Sequence, residues 1–363
     1  LSKRAIRALN RGAKQGNFYH NTGEGGLSQY HLREGGDVVW QIGTANFGAR
    51  KKDGTLDDEM FKDKASHEQV KMIEIKLSQG AKPSHGGILP AAKITKEIAH
   101  IRGVEMGEDC VSPPVNPEFN SPRGLMNFVQ RLRELSGGKP VGFKLCIGHW
   151  TEFMGICKAM LETDIYPDFI TVDGAEGGTG AAPLEFSNFL GTPLNEGIIF
   201  VNNCLVGINK RDKIRVIASG KVITGFDLAV KLALGADLCN SARGMMFALG
   251  CVQSVRCNTN TCPTGIATQD PYRAYAINVK EKAPRVHHFH DATVESFLDM
   301  LGAAGLECPD DLLPSHIYRR VNEAEVRHYD EIYTYLEPGQ LISGKNLSPH
   351  FQAAWQNADV DTF

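Results

Sequence analysis

The sequence lacks what several large protein classes require. No apolar run approaches the length of a membrane span, since Ile198, Ile199, Phe200 and Val201 are soon broken by Asn202 and Asn203. No block of basic residues is present, and 39 Lys and Arg nearly balance 42 Asp and Glu, for a net charge of -3. Nucleic acid is therefore not an expected partner. Internal repeats and low-complexity segments are absent. No Gly-x-Gly-x-x-Gly opens a helix after the first strand candidate, which argues against a doubly wound dinucleotide fold.

What the chain does hold is 38 glycines, many paired at the ends of apolar runs, where backbone turns sharply or approaches a ligand. It also has nine cysteines, an odd number. Most lie in apolar segments and read as reduced core thiols, which points to a reducing, cytoplasmic compartment. Three are concentrated in residues 250–263: Cys251, Cys257 and Cys262, with Pro263 after the last. Three is one short of the four ligands zinc prefers, and disulfides would leave one unpaired. A Cys-Pro ending also occurs in iron–sulfur loops, so spacing alone leaves a cluster and structural thiols equally open. The chain begins at Leu1 directly in helix-like sequence, and we expect a fragment whose upstream part, a membrane anchor included, is not visible.

Residues 2–14 read as a helix. Strand candidates, seven in all, include residues 18–22, 38–43, 141–146, 169–174, 214–219 and 237–241, with an eighth expected before residue 1. Helices are expected over 123–135, 152–162, 195–209 and 225–234, and the segment with Met72, Ile73, Ile75 and Leu77 reads as another. Polar or glycine residues cluster at the strand ends. This alternation predicts βαβ units and a parallel sheet, best fitted by a (β/α)8 TIM barrel over residues 1–275 with its chemistry at the C-terminal strand ends. Residues 276–363, with helices near 292–302 and 323–336, read as a covering helical and irregular extension.

The last two strand ends carry Gly220-Lys221 and Asn240-Ser241 with Arg243, a setting for phosphate, although ordinary turns would look the same. Lys144 is a charge on a buried strand, facing either a ligand or Asp173 and Glu176. Gln79, Lys82 and Arg102 could clamp a dicarboxylate; on spacing alone a solvated helix residue is the favoured reading of Arg102. Glu24, among glycines, contacts substrate or caps a turn. His287, His288 and His290 suggest a surface or interface role rather than a metal site.

Taken together these residues resemble the FMN-binding synthase domain of glutamate synthases. The matching stretches are residues 21–26, 79–83, 176–181 and, most specifically, 251–268, covering about residues 1–270. The resemblance implies FMN in the barrel mouth, contacted by Gln41, Thr44, Lys144, Gly177, Gly178, Gly220, Asn240 and Ser241. It also implies a [3Fe–4S] cluster on Cys251, Cys257 and Cys262. Gln79, Lys82 and Arg102 would hold 2-oxoglutarate or its imine, with Glu24 near the reaction. Residues 84–88 depart from the family pattern, and the first strand with its flavin-binding turn is expected upstream. The function implied is reduction of 2-iminoglutarate to L-glutamate, with an electron-donor protein and an ammonia-supplying partner. Two alternatives stand beside it: an FMN and iron–sulfur oxidoreductase for another amine or amino acid, and a non-catalytic electron-relay or scaffold subunit. A homo-oligomer is expected.

Overall fold

The computed structural model describes residues 1–363 except 84, 179–181 and 184. Seven strands form one parallel sheet in chain order: β1 His20–Asn21, β2 Val38–Ile42, β3 Val70–Lys76, β4 Val141–Leu145, β5 Phe169–Asp173, β6 Arg215–Ser219 and β7 Leu238–Asn240. The pairing is sequential, with Gln41 beside Glu74, Lys76 beside Lys144 and Lys144 beside Thr171. β2 and β5 are buried at every position, as strands covered on both faces must be. Helices Asp58–Ala65, Trp150–Thr163, Leu194–Gly207 and Gly225–Ala233 lie in the crossovers. This is the α/β barrel-type architecture expected from the alternation. β7 and β1 share no ladder; instead the Tyr19 hydroxyl donates to Asn240 Oδ1 at 2.6 Å between the two edges.

The segment around Met72 is a correction. It forms β3, a strand and not a helix. Lys71, Glu74 and Lys76 disguise its alternation, yet Glu74 is buried inside the barrel. Its carboxylate accepts from Asn21, Gln41 and Thr171 at 2.8, 2.7 and 2.6 Å. Residues 323–336 are a second correction. They supply one arm of an antiparallel hairpin, Tyr318–Arg320 with Val326–His328, and then a single helical turn, Tyr329–Ile332. Val321 N–H closes the turn on Glu325 C=O at 3.0 Å, and with the arms almost fully exposed no apolar stripe anchors a helix there.

Two cores result. The main one fills the space between the strands and the outer helices, around Trp40, Phe61, Phe143 and Phe153. It runs on into Phe297, Leu301, Phe351 and Ala354 of the C-terminal region. A smaller core forms where helix Lys3–Gln15, the cysteine segment and helix Val279–Ala303 meet, with Ala5, Ala8, Leu9, Leu249, Cys262, Ile266 and Val286. Ser2 caps the first helix by accepting from Ala5 N–H, and Ala5, Ala8 and Ala13 give it a thin apolar face. Gly12 allows the two helices to touch: a Cβ there would stand 2.6 Å from Val286 Cβ.

Candidate active site

The C-terminal ends of β1, β2 and β3 lead into a cleft lined by Glu24, Thr44, Lys76, Gln79, His85 and Gly87. Its centre is a pair the sequence reading missed. Lys76, the last residue of β3, is buried and donates from Nζ to Glu24 Oε1 and to Gln79 Oε1, both at 2.9 Å. The signal for it was the one used for Lys144, a charge at the end of an apolar strand, but it was hidden by reading β3 as a helix. Burial alone would raise the Glu24 carboxyl; Lys76, with Arg102 and Lys144 farther off, holds it below the ordinary carboxylate value. Burial, reinforced by Lys144, pulls the Lys76 ammonium below the usual lysine value despite Glu24.

Lys82 and Arg102 both lie close enough to this carboxylate to interact with its charge. Lys82 is buried, donates to Gly86 C=O at 2.9 Å, and is lowered by burial. Arg102 ends helix Lys96–Arg102, lies 4.7 Å over the Phe47 ring, and would stand 3.2 Å from a Cβ on Gly25. It also points toward Cys110 Sγ at 3.7 Å, and so is not the solvated helix residue of the bland reading. Among the described residues neither Lys82 nor Arg102 forms an ion pair.

Lys144 pairs with Asp173 Oδ2 at 3.4 Å, the structural alternative named from sequence. Burial disfavours its charge, but Asp173 and Glu74 raise it above the ordinary value. Asp173 also accepts from Gly80 N–H at 3.0 Å. Gly80 is obligatory here, since a Cβ would lie 1.6 Å from Gly174 C=O. Gln41 is committed to Glu74, and the Thr44 hydroxyl to Pro113 C=O at 2.5 Å. Glu176 accepts from Leu194 N–H at 3.0 Å and so starts the next helix. Beyond it, Gly177 and Gly220 bring bare backbone together, a Cβ on Gly177 lying 3.2 Å from Gly220 Cα. Thr179, Gly180 and Ala181 of that stretch, and Ser84, lie outside the described residues. Asn240 takes the Tyr19 hydroxyl, Ser241 donates to Val222 C=O at 2.7 Å, Lys221 is exposed with φ +51°, and Arg243 opens helix Arg243–Leu249.

Cys251, Cys257 and Cys262 all border the smaller core. Among the described residues no three His, Cys, Asp or Glu side chains are grouped closely enough to hold a metal ion. Burial would raise the Cys262 thiol. The Thr264 hydroxyl, 3.5 Å away, and the backbone N–H groups of Ala267, Thr264 and Ile266 bring it below the ordinary thiol value. Lys93, also missed from sequence, is buried and ties the loop at two points, donating to Cys257 C=O at 2.7 Å and Ala267 C=O at 3.3 Å. His290 stacks on Phe18 at 4.3 Å, and His287 Nε2 lies 3.1 Å from Asp291.

Residues 1–307 match the model of the conserved region in glutamate synthase. The chain belongs to the glutamate synthase family. Within that family it is 41% identical over 333 residues to the glutamate synthase large subunit-like protein YerD of Bacillus subtilis, covering 92% of this chain and 63% of that one. It is 32% identical over 313 residues to the archaeal glutamate synthase (NADPH) of Methanocaldococcus jannaschii, covering 86% and 58%. The chain thus spans about three-fifths of the length of these relatives. A solved flavocytochrome b2 with benzoylformate aligns with a TM-score of 0.52 at 13% identity, covering 95% of this chain and 70% of that one, which shows the shared barrel fold.

Proposed function

We propose that this family member reduces 2-iminoglutarate, formed from 2-oxoglutarate and ammonia, to L-glutamate. The observation that carries this reading is a pair of cations, Lys82 and Arg102, each close enough to Glu24 to act on its charge and without an ion-pair partner among the described residues. A dicarboxylate brings the two charges they lack, and Arg102 offers a fork of parallel donors. Making the imine from ammonia requires one group to take a proton from nitrogen and another to give one to the departing hydroxyl. Glu24 and Lys76, joined at 2.9 Å, fit those two tasks, and Gln79 fixes the lysine between them.

FMN suits the bare backbone that Gly177 and Gly220 bring together after β5 and β6, where a Cβ on Gly177 would lie 3.2 Å from Gly220 Cα, with Gly178, Gln41, Thr44 and Lys144 as further contacts. Asn240, Ser241 and the cations Lys221 and Arg243 would take its phosphate. Bound there, FMN would supply the hydride, and a [3Fe–4S] cluster on Cys251, Cys257 and Cys262 would relay single electrons to it. The hydrogen bonds directed at Cys262 are those a thiolate ligand needs. A cluster also interposes several atoms between its ligands, so the three sulfurs need not crowd as they would around one ion. A donor protein and an ammonia source complete the scheme. Residues 1–275 would form the catalytic barrel and 276–363 its covering extension.

His85, which lines the cleft and lies 5.6 Å from the Phe186 ring, favours a second reading in which another amino acid or amine is the substrate. Anaerobic reoxidation of the reduced flavin separates the two. Reoxidation by 2-oxoglutarate only with ammonia supports the first reading; indifference to both together with a response to another imine supports the second. A partner protein reoxidising the flavin where no small molecule does would favour the non-catalytic relay. A Lys82→Ala variant should raise KM for 2-oxoglutarate at least tenfold, and unchanged turnover and affinity would sink the assignment.

A further inference from the structure

The outward face of helix Lys3–Gln15 carries Lys3, Arg4, Arg7 and Arg11. With Arg33 and Lys280 they wall a cavity of about 420 Å³ that shares no lining residue with the cleft around Glu24 and Lys76. Like charges four apart on one helix, as in Lys3 with Arg7 and Arg7 with Arg11, are destabilising. Concentrating six cations in a chain of net charge -3 therefore needs a counter-charge. Among the described residues Glu34 is the one carboxylate paired with them, taking Arg7 Nε at 2.7 Å and Arg11 Nε at 3.0 Å. That arrangement fixes two guanidinium groups rather than hiding them. Arg4 is held as well, by Ile277 C=O at 3.3 Å and by the Tyr275 ring 4.5 Å beneath it. Lys3, Arg33 and Lys280 form no ion pair among the described residues. The positive end of the 25-residue helix Val279–Ala303 faces the same cavity through Val279 and Lys280.

We propose that this cavity binds a small anion carrying two or more linked phosphates, up to the size of a nucleoside triphosphate. Its volume lies in the range of about 300–1,000 Å³ usual for small-ligand sites. The cations run along about 12 Å of helix, longer than one phosphate and suited to a chain of them. Planar, pre-fixed guanidinium forks favour phosphate oxygens, and Tyr30 on the wall offers apolar surface to whatever the phosphates carry. The other side of the same helix packs on Leu249 and Cys262, so the ligand would sit one helix-width from the cysteine loop.

Titration calorimetry of the whole chain tests this, with inorganic tripolyphosphate and ATP set against orthophosphate, citrate and poly-glutamate in about 0.15 M salt, where exposed charges are screened beyond about 8 Å. The expected result is one site for tripolyphosphate or ATP, at least tenfold tighter than for orthophosphate or citrate. Arg33→Gln/Lys280→Gln, two exposed changes, should weaken it at least tenfold without moving the melting temperature, and Lys3→Gln should weaken it independently. Equal, salt-erased binding of every anion, binding of poly-glutamate alone, or binding unmoved by both variants would overturn the proposal.

Discussion

Lys76 and Glu24 show how much one buried pair decides at the scale of the residue. Removing the cation alone strands a buried carboxylate, so Lys76→Met should cost about 3–5 kcal/mol in chemical denaturation. The double change Lys76→Met/Glu24→Gln should recover much of that loss. The pH dependence has a definite sign. Glu24 is held below its unfolded value, so its contribution is present above the ordinary carboxylate range and lost as pH falls through the lowered folded value. Urea midpoints of the native chain and Glu24→Gln should differ near neutrality and converge in acid. Lys82 and Gln79 stood out in the sequence because they sit in a short glycine-punctuated stretch, whereas the spacing around Arg102 favoured a solvated helix residue, and only the structure sets it over Phe47. Glu74 and Lys76 were not, because their justification is spatial: partners 53, 33 and 97 residues away for Glu74, and 52 for Lys76.

Among the elements, those whose apolar run ended in glycine were read correctly. β4, β5, β6 and β7 and the helices between them agree to within two residues with the sequence reading. Failures occurred where the deciding interactions were not local, in β3 with its polar interior and in the exposed hairpin after Tyr318. Contact between helices Lys3–Gln15 and Val279–Ala303 is equally invisible in sequence, since it depends on Gly12 meeting Val286 and the Ala283 carbonyl. Gly12→Val should lower stability by about 1–3 kcal/mol through overpacking, on top of any helix-propensity gain, as read from the melting temperature. Helix Gly225–Ala233 begins with a reciprocal cap, Thr224 and Asp227 each accepting from the other's N–H at 3.1 and 2.9 Å. Asp227→Ala should cost about 1 kcal/mol by the same measurement.

The molecule as a whole is held by continuity of its main core. Trp150 stacks on Phe200 at 4.5 Å and meets Phe351 at 4.8 Å, fastening helix Pro349–Asn357 to the helices around the sheet. Phe351→Ala should therefore cost about 3–5 kcal/mol and lower a single unfolding transition rather than split it. No helix among the described residues is long and apolar enough to cross a membrane. Among the described residues the nine cysteines form no disulfide. The join between β7 and β1 has a dynamic consequence. Among the described residues one tyrosine hydroxyl spans it in place of a ladder, so opening there breaks a single side-chain hydrogen bond while each laddered pair must shed several at once. In deuterium oxide, the amides of Leu238–Asn240 and His20–Asn21 should lose protection earliest in the sheet, and a Tyr19→Phe change should hasten them while leaving Phe143 and Val172 slow.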